Sequence, residues 1–426
     1  MSGIPASESF VHVDGELRCD GVSLAELADS YGTPAYVYSS RVIERAYREI
    51  DQALAFTPHL IAYAVKANGN LAVLRTLARL GSGADIVSGG ELARALEAGI
   101  PPSRIVYSGV GKTPAEIAEA LLVGIRSIHV ESEPELEVVE AVARELGKTA
   151  KVSLRVNPDV DPQTHPYIAT GLHSTKFGIE IDVARRLIPK LVESPHLALE
   201  GLAMHIGSQL GSPAPLEEAV TLLGRFALEA MEAGAPLESL DVGGGWSLNY
   251  GHEAQPYPPA SAFGEAIRRG LEASGVASRG LTIVTEPGRY LVGDAGVLLT
   301  RVLYVKDGPK KRFVIVDAAM TELIRPSLYG AYHAIVPVVP RKGEARVVDV
   351  VGPVCESGDF LAKDRLLGEV KQGDLLAIRG AGAYAREMAS MYNARLPAPE
   401  ILVVDGRAKL VRKRPGIEAL WAHEID

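Results

Sequence analysis

Residues 59–68 read His-Leu-Ile-Ala-Tyr-Ala-Val-Lys-Ala-Asn (HLIAYAVKAN), an apolar run that ends in one lysine. A run of this length predicts a short buried strand, with Lys66 at its C-terminal end. Burying an ammonium group is costly, so a lysine here either leaves the strand for solvent or takes part in a reaction. Desolvation favours the neutral form of an amine, which can form a Schiff base with a carbonyl compound. This stretch alone leaves both interpretations open.

Similar apolar segments recur along the next two hundred residues and alternate with helical patterns. Strands are predicted at 60–65, 84–87, 105–108, 127–130, 152–156, 201–205, 239–242 and 281–285, and helices at 89–99, 114–123, 133–147 and 214–233. Alternation of this kind predicts an α/β fold with parallel strands, and eight strands over roughly 230 residues predict a (β/α)₈ TIM barrel. An open doubly wound sheet is the alternative, although none of the strands leads into G-x-G-x-x-G.

The pattern changes after about residue 290. Short β-rich stretches separated by Gly, Pro and Lys turns predict a second, mostly antiparallel β domain; they lie at 296–306, 312–316, 346–351, 374–379 and 400–404. We therefore predict a barrel domain at residues 35–290 and a β domain formed by residues 1–34 together with 291–426.

The composition of the chain argues against several classes of protein. The chain has 426 residues, 47% hydrophobic and 23% charged, as expected of a globular protein. Its net charge of −9 argues against a nucleic-acid or acidic-membrane partner. The two cysteines, Cys19 and Cys355, are too few for a disulfide framework and fit a reducing compartment. With no signal-peptide pattern and no membrane-length apolar run, we expect a cytoplasmic protein.

Polar residues and glycines concentrate at the predicted strand ends, where TIM barrels carry their chemistry. After Lys66 come Asp85 at strand two, His205 and Ser208 at strand six, Gly243-Gly244-Gly245 at strand seven, and Glu286-Pro287-Gly288-Arg289 at strand eight. Three successive glycines are either a plain tight turn or a nest of backbone N–H groups that binds phosphate. Their place after the seventh strand favours the phosphate site.

A phosphate site and a Schiff-base lysine in one barrel predict pyridoxal 5'-phosphate (PLP) as the cofactor. The carboxylate of Glu286 is placed to hold the proton on the pyridine nitrogen, and the flat ring of His205 can stack on the cofactor. The alternatives are a core histidine at 205 and a surface ion pair of Glu286 with Arg289. We assign no metal site.

Five motifs in this order resemble the PLP-dependent decarboxylases of the alanine-racemase-like fold. They are YAVKAN at 63–68, HIGS at 205–208, GGG at 243–245, EPGRY at 286–290 and GPVCESGD at 352–359. Within that family, GLHSTKFG at 171–178, LIRPSLYGAYH at 323–333 and CESGD at 355–359 are similar to the diaminopimelate decarboxylases. The resemblance covers about residues 30–405 and implies a homodimer with shared active sites.

The resemblance also implies roles for single residues. Lys66 would carry PLP, and His205 would stack on it. Cys355 and Glu356 would come from the partner subunit, with Cys355 as the proton donor. The cofactor-binding set would be Lys66, Asp85, His205, Ser208, Gly244, Gly245, Glu286, Pro287, Gly288, Arg289 and Tyr384. The substrate-binding set would be Arg289, Arg325, Tyr329, Glu356 and Tyr384. Read from the residues alone, Cys355 could equally be a small buried apolar side chain.

The implied reaction is the decarboxylation of meso-2,6-diaminopimelate to L-lysine and CO₂, the last step of lysine biosynthesis. Three alternatives stay open: a relative acting on ornithine, arginine or a carboxylated polyamine, a racemase, and a non-catalytic PLP-binding homologue. Arg325 and Glu356 favour a substrate with a second amino-acid end. Glu286 disfavours a racemase, and retention of Lys66 and Cys355 disfavours a non-catalytic protein.

Overall fold

The computed structural model describes residues 9–161, 176–253 and 255–425, so residues 171–175 of the GLHSTKFG motif lie outside it.

The N-terminal part of the protein consists of short elements before the barrel. The first elements are β1 (Phe10–Val13), β2 (Glu16–Cys19), β3 (Val22–Ser23), α1 (Leu24–Tyr31), β4 (Ala35–Ser39) and α2 (Ser40–Ala53). Helix α1 begins after Ser23 because the Ser23 hydroxyl accepts a hydrogen bond from the Glu26 N–H (3.0 Å).

A closed barrel of eight parallel strands follows. In chain order the eight barrel strands are β5 (His59–Ala64), β6 (Gly83–Ile86), β7 (Ile105–Tyr107), β8 (Ser127–Val130), β9 (Ala150–Asn157), β11 (Leu197–Ala203), β12 (Ser239–Asp241) and β13 (Thr282–Thr285), and a two-residue strand outside the ring, β10 (Ile179–Glu180), follows β9 in the chain. Strand β13 pairs with β5 and β8 pairs with β9, so the sheet closes, while the short β10 adds to β9. The TIM barrel is confirmed, and the open-sheet alternative is wrong because an open sheet would leave two unpaired edges.

Helices alternate with the barrel strands as predicted. They are α3 (Leu71–Arg79), α4 (Gly89–Glu97), α5 (Pro114–Val123), α6 (Glu133–Glu145), α7 (Ile181–Glu193), α8 (Ala214–Glu232), α9 (Ala260–Ser274) and the short α10 (Arg289–Val292). Several begin at a side-chain cap: the Ser88 and Thr113 hydroxyls accept N–H hydrogen bonds at the starts of α4 and α5. Helix α5 ends at Gly124 in the left-handed conformation.

Strand β11 starts earlier than the pattern predicts. The sequence indicates a strand from residue 201, yet the strand begins at Leu197. The register shifts between Leu199 and Gly201, and the bulge accommodates Glu200, whose carboxylate lies 2.8 Å from Arg126. This buried charged residue interrupts the apolar run, so the first half of the strand has no clear strand pattern.

The C-terminal part forms the predicted, mostly antiparallel β structure. Its elements are β14 (Gly296–Asp307), β15 (Arg312–Val316), α11 (Arg325–Tyr329), β16 (Ile335–Pro337), β17 (Arg346–Val351), β18 (Phe360–Leu367), β19 (Leu375–Arg379), β20 (Glu400–Val404) and β21 (Arg407–Arg412). The order of hydrogen-bonded strands in this sheet is β18-β17-β15-β14-β4-β20-β21, and β19 pairs with both β14 and β16. Only the pairings β15–β17 and β4–β20 in this sheet are parallel among the described strands.

The described residues divide into two units. Residues 9–45, 248–253, 255–256 and 291–425 form one, and those within 46–247 and 257–290 form the other. In the first unit Phe10, Leu17 and Leu24 pack in one hydrophobic cluster with Val297 and Ile401. The predicted division at residue 35 stays a prediction; β4, which follows it, pairs with β14 and β20.

None of the helices in the described part of the chain combines the length and apolar character needed to cross a membrane.

Candidate active site

Polar side chains meet at the C-terminal end of the barrel strands. The hydrogen-bonded or closely placed groups there are Lys66 after β5, Asp85 in β6, Ser108 after β7, His129 in β8, His205 after β11, Asp241 in β12 and Glu286 after β13. Parallel strands deliver their last residues to one face of a closed barrel, which explains why residues far apart in the sequence come together.

The Lys66 amine is held by a buried carboxylate. Its Nζ lies 2.6 Å from Asp85 Oδ2; the Lys66 side chain is 38% exposed and that of Asp85 is fully buried. Burial raises the pKa of Asp85, the charge of Glu286 raises it further, and Lys66 opposes both. The Lys66 amine is therefore accessible at the C-terminal end of the barrel, and Asp85 orients it. This arrangement favours a reactive lysine over a lysine that only marks where the strand exits into solvent.

The carboxyl group of Glu286 lies inside the barrel. Its Oε1 accepts a hydrogen bond from Ser108 Oγ (3.1 Å) and lies 3.5 Å from His129 Nδ1. Burial alone would raise the pKa of Glu286, but the hydrogen bond and charge of His129, together with Lys66, hold that pKa below its usual range. Glu286 is thus an ionised, buried carboxylate and no part of a surface ion pair.

His205 has a defined tautomer and no charge. Its Nδ1 accepts a hydrogen bond from the Gly244 N–H (3.0 Å), so the ring proton resides on Nε2. Burial, followed by the charge of Arg155, lowers the pKa of His205 to about 3. A flat neutral ring is the form suited to stacking against an aromatic cofactor.

The glycine run packs too tightly for any other residue. A Cβ on Gly244 would lie 2.4 Å from the Glu286 carbonyl oxygen, and one on Gly245 would lie 2.7 Å from the Gly207 carbonyl oxygen. Gly243 and Gly245 also have φ of +71° and +97°, in the region that favours glycine. The backbone of the glycine run therefore packs directly against the loops after β11 and β13. A plain tight turn would not require contacts this close.

Arg289 lies beside Ser208 within the same unit. Its guanidinium donates to Ser208 Oγ from Nε (3.4 Å) and Nη2 (3.3 Å), and the residue is 6% exposed. The structure thus brings two of the predicted cofactor-binding residues together. Pro287 contributes through the backbone, where its carbonyl accepts from the Ala64 N–H (3.1 Å) and ties the EPGR segment to the end of β5.

Gly288 follows Pro287 in the barrel unit, and the remaining predicted site residues belong to the unit that contains residues 291–425. Arg325 begins α11 and donates to Tyr250 Oη (3.1 Å), and its Nη1 lies 2.9 Å from His333 Nε2. Tyr329 ends the same helix, and Tyr384 adopts a φ of +53°, which is uncommon for a residue with a side chain.

The CESGD loop lies next to α11. The Ser327 hydroxyl donates to the Gly358 carbonyl oxygen, and this contact places Cys355 and Glu356 in the loop that packs on the helix. Cys355 is a free, exposed thiol, and its N–H donates to Asn393 Oδ1 (2.9 Å). The interpretation of Cys355 as a small buried apolar side chain is therefore wrong.

Sequence analysis missed three residues of the barrel cluster, namely Ser108, His129 and Asp241. The ends of predicted strands three and four received no candidate, although both carry polar residues, Ser108 and His129. The signal that could have identified them is a polar side chain within a strand predicted to be buried. Asp241, at the end of the strand Ser239–Asp241, has the same signal.

These groups fit pyridoxal phosphate. The barrel offers an accessible amine on Lys66, an ionised buried carboxylate on Glu286 and a glycine cradle that a Cβ would fill. A carboxylate of this kind suits a protonated pyridine nitrogen, and a glycine nest suits a phosphate.

The chain is similar to known pyridoxal-dependent decarboxylases. Residues 40–293 match the family described as pyridoxal-dependent decarboxylase, pyridoxal binding domain. The chain is 50% identical to a diaminopimelate decarboxylase of Pseudomonas aeruginosa (98% of this chain, 99% of that protein) and 49% identical to that of Vibrio cholerae (96% and 97%). It also resembles the crystal structure of diaminopimelate decarboxylase from Helicobacter pylori complexed with L-lysine, with a TM-score of 0.89, 42% identity and coverage of 94% and 98%. The chain belongs to the PLP-dependent decarboxylases, in the diaminopimelate decarboxylase group.

Proposed function

We propose that this protein decarboxylates meso-2,6-diaminopimelate to L-lysine and CO₂, the last step of lysine biosynthesis, with pyridoxal 5'-phosphate as its cofactor. The observation that carries the proposal is the accessible Lys66 amine, at the same end of the barrel as the buried, ionised Glu286, in a chain about half identical to diaminopimelate decarboxylases. CO₂ release from a panel of diaminopimelate, ornithine, arginine and a carboxylated polyamine tests it. Release from diaminopimelate with formation of lysine is expected, and preference for another member of the panel would contradict the proposal.

Each barrel residue has a task toward the cofactor. When bound, PLP supplies an electron sink for the carbanion left after CO₂ departs. Lys66 would hold the cofactor, Glu286 would keep its ring nitrogen protonated, and His205, with its neutral ring, would stack on it. Asp85, Ser208, Gly244, Gly245, Pro287, Gly288, Arg289 and Tyr384 complete the binding set.

The unit that contains residues 291–425 supplies substrate-binding residues and a proton donor. Diaminopimelate has a distal amino-acid end, so its site needs a cation for the carboxylate and an anion for the ammonium. Arg325 and Glu356 would supply these charges, and Arg289, Tyr329 and Tyr384 complete the proposed substrate-binding set. Cys355 donates a proton to the α-carbon, for which an exposed thiol is suited.

The active form is a homodimer with shared sites. Residues 35–290 bind the cofactor, and residues 1–34 with 291–426 contribute the dimer interface and the partner's part of each active site. The protein works in the cytoplasm on a small amino-acid substrate, without nucleic acid or membrane. Two free cysteines, of which Cys355 is exposed, support a reducing compartment.

Replacing Glu286 by glutamine should slow decarboxylation on the order of 10²-fold or more, with a smaller loss of cofactor affinity. The amide retains the size and can still accept from Ser108, but it has no charge to hold the proton on the ring nitrogen. Steady-state kinetics, together with the visible absorbance of bound PLP, measure the two effects separately. A variant with near-normal kcat would exclude this role for Glu286.

Replacing Gly244 by alanine should weaken PLP binding, because the new Cβ would lie 2.4 Å from the Glu286 carbonyl oxygen. A strain of roughly 1–3 kcal/mol corresponds to binding weaker by about 5- to 150-fold. Gly90→Ala is the matched control, since its Cβ meets only Ser88 Oγ at 3.8 Å. Fluorescence titration of both apo-proteins with PLP gives the affinities, and equal values would show that the glycine cradle does not position the cofactor.

A further inference from the structure

His129 occupies a fully enclosed position between two carboxyl groups. The residue is 2% exposed, with Nδ1 3.5 Å from Glu286 Oε1 and Nε2 3.8 Å from Asp241 Oδ2. One ligand-type atom from each of the three side chains lies within 4.8 Å of the others. None of the roles in the proposed function is assigned to His129.

The hydrogen bonds define where the first ring proton of His129 resides. Ser108 Oγ donates its only proton to Glu286 Oε1 (3.1 Å) and lies 3.2 Å from His129 Nδ1. A hydroxyl has one proton, so the second contact requires Nδ1–H as the donor. Nδ1 therefore carries a proton and points toward Ser108 and Glu286.

The other ring nitrogen faces an oxygen that needs a partner. Asp241 Oδ1 accepts from the Gly243 N–H (2.8 Å), whereas Oδ2 has no hydrogen-bond partner among the described residues. Burial, and next the charge of Glu286, raise the pKa of Asp241 well above its ordinary value. With no further proton, Asp241 and Glu286 would be two neighbouring buried anions, an arrangement of high energy.

One additional proton on the His129–Asp241 pair removes this repulsion. On Nε2 it makes an imidazolium beside a carboxylate, and on Oδ2 it makes a neutral ring beside a carboxylic acid. In both cases the pair has no net charge. Glu286 is then left as the ionised member of the cluster, while Lys66 faces the carboxyl group of Asp85.

We propose that His129 is a positioning residue that shares one proton with Asp241 and thereby keeps Glu286 ionised and oriented toward the ring nitrogen of the cofactor. This inference rests on the proposed function, in which Glu286 faces that nitrogen. His129 acts through Glu286 and touches neither the substrate nor the reacting atoms.

The test measures the ring nitrogen directly, without turnover. Apo-protein is loaded with PLP labelled with ¹⁵N in the ring, and the ¹⁵N chemical shift reports whether that nitrogen is protonated. In the wild-type protein the protonated form is expected. His129→Leu, which has no ring nitrogens, should move the signal toward the unprotonated form and lower kcat on the order of tenfold, the size of effect seen when the outer partner of an oriented ligand is lost. KM should change by less than about twofold.

Two further variants separate a positioning role from a merely structural one. His129→Asn retains a polar group near the Nδ1 position but leaves Asp241 unpartnered, so its ¹⁵N signal should lie between those of wild type and His129→Leu. If His129→Leu does not fold, the ¹⁵N measurement on His129→Asn still tests the proposal. His59→Leu is the matched control, because His59 is also on a barrel strand and contacts a carboxylate, Asp51 (3.1 Å), at the opposite end of β5. It should leave the ring-nitrogen signal unchanged.

The Glu286 and His129 variants test the role of Glu286 and the role of His129 separately. If Glu286→Gln leaves the ring nitrogen protonated, the proposed role of Glu286 fails. If Glu286→Gln removes the proton but the folded His129 variants give the wild-type signal, Glu286 stands and the role of His129 is refuted. A wild-type signal in His129→Asn alone would refute the shared proton with Asp241.

Discussion

Replacing Lys66 by alanine is expected to abolish turnover and to remove the covalent bond between protein and cofactor. The Lys66 amine is accessible and oriented by Asp85 at 2.6 Å, and alanine has no nucleophile to replace it. Borohydride reduction of the wild-type protein with PLP, followed by peptide mapping, should place the label on the peptide that contains Lys66. The Lys66→Ala protein should carry none.

Two other lysines serve as controls for this result. Lys112 lies near the same end of the barrel, but its ammonium is fully buried and donates to the Gly109 and His129 carbonyl oxygens and to Glu135. Lys148, which precedes β9, lies at the other end, so Lys148→Ala should keep both the label and the activity. Label on any lysine other than Lys66 would overturn the assignment.

Mixing inactive Lys66→Ala and inactive Cys355→Ala proteins should restore activity if each site takes Lys66 from one chain and Cys355 from the other. A two-fold dimer has two equivalent sites, so a mixed dimer holds one intact site and one with both substitutions. Random exchange makes about half of the dimers mixed, so roughly a quarter of wild-type activity should return. The Cys355→Ala protein is expected to be severely impaired by itself, because alanine cannot replace a thiol proton donor.

A second mixture controls for non-specific recovery. Lys66→Ala combined with the double variant Lys66→Ala/Cys355→Ala contains no chain with Lys66, so it should stay inactive. Mass spectrometry of tagged chains verifies the exchange. If chains exchange and activity remains at the level of the separate variants, Cys355 acts within its own chain or has no part in the reaction.

The barrel was predictable from the sequence because its signals are local. Each predicted strand overlaps an observed one, since short apolar runs between capped helices require only neighbouring residues to be recognised. Helix α5 shows this well: Thr113 begins it and Gly124 ends it, and both signals lie within the segment. The prediction was less accurate at β11, where the buried Glu200 interrupts the apolar pattern.

The candidate site was predictable only in part. Lys66, His205, the glycine run and Glu286 stand in recognisable motifs at strand ends, so their types and order identified them. The contact of Ser108 with Glu286 joins residues 178 positions apart, and nothing in the residues around Ser108 indicates it. Likewise β4 pairs with β14 and β20, and these pairings join segments far apart in the chain.

The sequence by itself determined the α/β barrel, the lysine at the end of its first strand and the family to which the chain belongs. Only the tertiary structure decided which groups carry charge, since it keeps His205 neutral and Glu286 ionised. The physical reason is that a protonation state depends on burial and on the charges a few ångströms away. Those neighbours come from strands distant in sequence, and they meet only when β13 pairs with β5 and closes the barrel.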